Sequence, residues 1–145
     1  MGKFSAQVKA WAKETEAKKA AVFKIATQKL VDAMILTIPK QGNLPVDTGN
    51  LRRSLMASTS VRPTIISGKE DFTDGFSEVE FVISGATIKD KIYIGFQAEY
   101  ARRMEYGFIG QDALGRVYNQ TGFAFVGQAA LDWQRFVDEA VREVR

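Results

Sequence analysis

Apolar side chains return every three or four positions through the first quarter of the chain. Phe4, Val8, Trp11, Thr15, Lys18, Val22 and Ile25 trace one stripe, broken at Lys18, and Ala26, Leu30, Ala33 and Ile38 continue it with a small rotation. That period, with neither Gly nor Pro between Ser5 and Ile38, predicts one long helix stopped by Pro39. About 34 residues at roughly 1.5 Å each extend about 50 Å. A compact chain of this size is only about 38 Å across. Either the first half of the helix, with Lys9, Lys13, Lys18 and Lys19, overhangs the body toward a partner, or the helix kinks and folds back. An exposed stripe of Phe4, Val8 and Trp11 favours the partner surface.

The pattern then shortens. Residues 39 to 45 read as a loop, and Asp47 is placed to cap a short helix running to about Met56, with Leu51 and Leu55 inward and Arg52 and Arg53 outward. Three strands are expected at about 58–67, 78–84 and 91–96, from alternations such as Val79, Phe81, Ile83 and Ile92, Ile94, Phe96. Pro63 marks the first as an edge or bulged strand, and the turn region 84–90 makes the last two an antiparallel pair. A brief helix over 98–106 ends at Gly107, a short strand is expected near 123–125, and a helix over 128–144 is expected to pack on the sheet. The fold class is therefore α+β, in one domain spanning residues 1–145.

Two loops, 68–77 and 107–122, are long for so small a domain. They carry Phe72, Phe76, Phe108, Ile109, Leu114 and Tyr118, apolar side chains that suit either contacts made on assembly or lids folded back on the chain's own core.

Composition narrows the chemistry. The chain of 145 residues has no His and no Cys, which removes Cys/His zinc sites, iron–sulfur clusters and every relay built on imidazole or thiolate. The absent Cys agrees with folding in a reducing compartment. The most apolar short run, 33–38, ends at Pro39, so no membrane span is expected, and the start, Met1-Gly2-Lys3-Phe4, leads into a run mixing charge with Ala, so no secretory leader is expected. Net charge is +3, but unevenly spread: residues 1–62 hold 11 basic and 4 acidic side chains, and residues 63–145 hold 9 and 13. A +7 half and a −4 half suit head-to-tail contact between copies, a basic face turned to nucleic acid, or simply two solvated faces.

Carboxylate pairs are the surviving catalytic theme, with Asp47, Glu99 and Glu105 the least obviously solvated. A chain with 17 acids supplies such trios by chance, and no Gly-rich segment has a phosphate-binding ending. Glu105, near the C-terminal end of its helix, should seek a cation or free N–H groups. The lysines of the first helix lack the Arg density and aromatic interleaving of a nucleic-acid surface. No catalytic residue, cofactor or metal site is assigned.

Two short motifs carry a resemblance. Pro45-Val46-Asp47-Thr48-Gly49-Asn50-Leu51-Arg52-Arg53-Ser54-Leu55 is followed by Tyr93-Ile94-Gly95-Phe96 and then by Tyr100-Ala101-Arg102-Arg103-Met104-Glu105-Tyr106-Gly107. In that order, after a long helix and before a final one, they resemble the tail-completion, or head-to-tail joining, proteins of long-tailed bacteriophages and prophages. One departure is Val126-Gly127, where the family usually has proline before the last helix.

The resemblance implies a virion component without catalytic activity, at the neck or head-proximal end of the tail, assembled in the host cytoplasm. It implies a ring of copies that meets connector or head-completion proteins on one side and tail-tube or tail-terminator proteins on the other, with non-specific contact to transiting DNA. It gives Asp47, Thr48, Gly49, Leu51, Arg52, Tyr100, Ala101, Glu105 and Gly107 structural roles, with Glu105 tied to Arg52 or to the N–H groups near Thr48. Phe4, Val8, Trp11, Phe72, Phe76, Phe108, Ile109, Leu114 and Tyr118 are the expected interface.

Overall fold

A computed structural model describes residues 2–111 and 113–145, with the side chain of Tyr118 outside the described part. Helix α1 spans Gly2–Met34 and is unbroken, ending short of the expected Ile38, which with Pro39 lies in a separate turn. Its first stretch, residues 3–14, is exposed throughout, whereas Ala26, Val31 and Met34 are buried. The helix thus overhangs rather than kinks. Beyond it, residues 36–44 double back: Ile38 N–H donates to Leu44 O and Leu44 N–H to Leu36 O, around a 3-10 turn at Ile38–Lys40. Leu44, fully buried, plugs that turn into the core.

Helix α2 (Asn50–Arg53) leads directly into strand β1 (Leu55–Ser58). Strand β1 pairs antiparallel with β2 (Tyr93–Phe96), Leu55 opposite Phe96 and Ser58 opposite Tyr93. The first expected strand is therefore short and displaced toward its start, and residues 59–65 are irregular, with one bridge from Ile66 to Ala98.

The middle expected strand is instead a helix, α3 (Phe76–Gly85). Val79 and Ile83 are four apart, a spacing that both a strand and a helix place on one side. Phe81 decides between them: a strand would bury it with its neighbours, yet it is 78% exposed. Asp74 accepts a hydrogen bond from Phe76 N–H at 2.8 Å and Glu78 sits in the first turn, both favourable at the positive helix end.

Helix α4 (Ala101–Tyr106) was expected, but the segment after it is not a loop. It forms a second antiparallel hairpin, β3 (Gly107–Gln111) with β4 (Val117–Thr121), Ile109 opposite Asn119. Glycines at 107, 110, 115 and 122 hide this hairpin by diluting its β propensity. No strand forms at 123–125.

The last helix is two. Helix α5 (Phe125–Leu131) and helix α6 (Trp133–Val144) are broken at Asp132. Helix α5 covers β2, with the Phe125 and Phe96 rings edge to face at 5.2 Å. Helix α6 packs on α1 and not on a sheet. Ala26 and Ala140, both fully buried, let the two helices approach around Phe136, while Lys29 bridges to Glu143 at 2.9 Å and Glu139 at 3.4 Å. The larger core joins Val31, Met34, Leu44, Leu51, Leu55, Phe72, Val79, Ile83, Phe96 and Phe125. The architecture is α+β.

Candidate functional site

The first motif is a backbone-organising knot. Gly49 has φ +84°, the left-handed region that glycine occupies without strain, and it turns the chain into α2. The expected cap at Asp47 does not form: Asp47 is exposed, and the Thr48 hydroxyl accepts from Asn50 N–H at 3.3 Å. Leu51 and Leu55 are buried as expected. Arg52 and Arg53 do not point away. Arg52 Nε donates to Ile35 O at 3.0 Å and its guanidinium lies 4.5 Å over the Phe76 ring. Arg53 donates to Phe72 O at 2.9 Å and to Thr48 O at 3.2 Å.

Asn50 is the residue that sequence reasoning passed over. It is 2% exposed; its amide donates to Lys69 O at 3.2 Å and its carbonyl accepts from Phe72 N–H at 2.9 Å. Together with Arg53 it pins residues 69–72 to the motif. Phe72, expected at an interface, is consequently a core residue at 7% exposure, and Phe76 is half-buried beneath Arg52. The place of Asn50 directly before the core anchor Leu51 was the available sequence signal for its role.

The second motif closes the other side. Ala101 is buried and Tyr100, at 36% exposure, precedes α4. Gly107 has φ +89°, and a Cβ there would collide with Gln120 O and lie 2.8 Å from Gly122 N, so glycine is required where α4 turns into β3. Glu105 finds free N–H groups, but not those near Thr48 and not Arg52. Its carboxylate accepts from Val126 N–H at 2.8 Å and Gly127 N–H at 2.9 Å, capping α5 from outside. The sequence departure from proline thus coincides with the site that Glu105 holds. Glu99 has a comparable task, accepting from Gly68 N–H at 3.0 Å.

The two motifs do meet, across a cleft of about 600 Å³. Residues 45–51 line it together with Tyr100, Met104, Gln120 and Phe123, and with Glu70. Asp47, Glu99 and Glu105 form no catalytic cluster: Glu99 and Glu105 are committed to backbone N–H groups, and neither lines this cleft. Among the described residues no group of three acids is placed to hold a metal ion, and no helix is long and apolar enough to cross a membrane.

The remaining expected contact residues lie outside the knot. Phe4, Val8 and Trp11 are 73%, 48% and 68% exposed on the overhanging turns of α1. On the hairpin, Ile109 and Leu114 are about four-fifths exposed, and Phe108 is half-buried under Arg103, whose guanidinium is 4.1 Å from the ring. Tyr118 lies in β4, and its side chain is outside the described residues.

The fold is an α+β body from which two partly apolar segments project, the first turns of α1 and the hairpin β3–β4. The family comparison is specific. Residues 2–107 match the family described as "Bacteriophage HK97-gp10, putative tail-component", which takes in α1, both motifs and the β1–β2 pair. The chain belongs to this family, and is a bacteriophage tail component associated with the virus particle. No curated protein and no solved structure matches the chain.

Proposed function

We propose that this tail component is a non-catalytic subunit of a ring at the head–tail junction, joining or completing the tail. The overhanging half of α1 is the observation that carries the reading. It leaves Phe4, Val8 and Trp11 in water on a helix that its own body does not reach, which is costly unless another subunit covers it. The exposed hairpin β3–β4 supplies a second projecting surface. The basic first half and acidic second half of the chain favour head-to-tail association of copies, and a heterologous contact closes into a ring when its rotation allows. The two ends of such a ring would meet connector or head-completion proteins and tail-tube or tail-terminator proteins, and its lumen would pass DNA.

Electron microscopy of particles carrying a C-terminal label on this chain tests the placement. Label confined to the head–tail junction is expected; label spread along the tail, or absent from finished particles, overturns it.

A further inference from the structure

A groove of about 510 Å³ runs between α1 and α6, with Ile88, from the segment after α3, at its edge. Val22, Phe23, Trp133, Val137 and Val141 give it an apolar floor, and Lys18, Lys19 and Arg145 are its cations. Lys18 also pairs with Glu14 at 3.4 Å, but both side chains are more than half exposed, and such a pair is weak and easily exchanged. On another element, the outer side of α3 presents a single large apolar side chain, Phe81. Glu78 and Glu80 are exposed beside it, and Ser77 and Ser84, four before and three after, leave it standing clear. Neither glutamate takes part in an ion pair among the described residues. Phe81 does not line the groove, so its own chain leaves both surfaces open.

We infer that, within the proposed ring and resting on that reading, the α1–α6 groove of one copy receives Phe81 on α3 of the next. The chemistry matches in both respects. A lone exposed aromatic entering a desolvated apolar groove is the usual form of an interface anchor. Glu78 and Glu80 then meet Lys18, Lys19 and Arg145, which steers the approach and fixes orientation. Because knob and groove are different surfaces, the contact can run head to tail from copy to copy, as a ring requires, and the double variant's ladder distinguishes this from a reciprocal dimer, which would stop at two chains. Two-fold pairing of the α1 stripes would instead bring Lys3, Lys9, Lys13, Lys18 and Lys19 of one copy, with only Glu14 and Glu16 to offset them, against the same set on another, a net like-charge arrangement.

The chain has no Cys, so introduced thiols report cleanly. Ser77→Cys, one helical turn before Phe81 and exposed, and Val141→Cys, at a side chain 37% exposed, keep the Phe81 anchor in place and should leave folding intact. Under mild oxidation the mixed single variants are expected to give a covalent heterodimer, and the double variant a ladder of covalent multimers, in solution or in assembled particles. Glu80→Lys in the Ser77→Cys chain should lower the heterodimer yield about tenfold or more. Lys19→Glu in the Val141→Cys chain should restore it. Disulfide-linked homodimers of either single variant alone would show two-fold pairing and overturn the proposal. Oligomers detected by light scattering that do not cross-link overturn this contact and leave the ring reading standing. A chain that neither self-associates nor cross-links, free or in particles, overturns both.

Discussion

Glu105 shows how a single side chain can tie two elements together. It leaves α4 near its C-terminal end, where the helix dipole disfavours a carboxylate, and reaches the first N–H groups of α5, where the dipole favours one. Meanwhile Phe123 N–H and Ala124 N–H donate to Met104 O and Glu105 O, satisfying the carbonyls at the end of α4. Glu105→Gln keeps the shape but removes the charge and one acceptor. It should cost about 1–2 kcal/mol, by analogy with lost helix caps. The melting temperature should then fall by a few degrees in calorimetry; an unchanged value would show that the two hydrogen bonds are not formed in solution. Gly107→Ala is expected to be worse, because a left-handed φ and a backbone collision coincide there. The need of Glu105 for partners was legible from its position on a helix. Which N–H groups it would find was not, since Val126 and Gly127 lie more than twenty residues away along the chain.

At the scale of elements, α3 provides the cleanest test of packing against pattern. If residues 76–85 are helical, Ile83→Ala removes a core side chain and should cost about 2–5 kcal/mol, while Phe81→Ala should change stability by less than about 0.5 kcal/mol. A strand would make the two losses similar, and urea unfolding of both variants distinguishes these outcomes. The α1–α6 contact has its own signature in pH. The hydrogen bond from Lys29 to Glu143 raises the Lys29 pKa above its ordinary 10.5, outweighing the opposing effect of desolvation, with attraction to Glu143 and Glu139 adding to the rise. A folded-state value above the unfolded one means the contribution is fully present below about pH 10.5. It is lost as pH climbs through the raised value. Lys29→Met should therefore flatten the alkaline end of the stability curve relative to the unsubstituted chain, with the difference between the two shrinking as pH climbs through the raised value. A pH-independent difference would count against the ion pairs.

For the whole molecule, the main feature is a division of labour between body and overhang. Removing residues 2–14 takes away only exposed side chains, so the melting temperature of the remainder should stay within a degree or two. Self-association and incorporation into particles should be lost. The chain holds two tryptophans, Trp11 on the overhang and Trp133 in the α1–α6 groove. In a Trp133→Phe variant, Trp11 reports alone: red-shifted emission in the free chain and a blue shift on assembly are expected. Emission that is already blue in dilute monomer would mean that the helix folds back in solution.

Periodicity alone determined the long first helix, because some thirty residues without Gly or Pro leave the backbone no competitive alternative. It also determined α4, β2 and the buried leucines of the first motif. The absence of His and Cys determined which chemistries were out of reach. Tertiary structure decided the rest wherever local preferences were short or balanced. The spacing of Val79 and Ile83 fits two periods, and only the core they share with Val31 and Met34 selects the helix. The hairpin at 107–121 depends on cross-strand pairing that no local window contains. Likewise α6 lies on α1 because Ala26 and Ala140 leave room there, while α5 already occupies the sheet with Phe125 against Phe96. Asn50, polar and next to the core anchor Leu51, acquired its role only when the chain at Lys69 and Phe72 came back to meet it. Contacts between distant segments carry no trace in local pattern, since each half is unremarkable until the other is beside it.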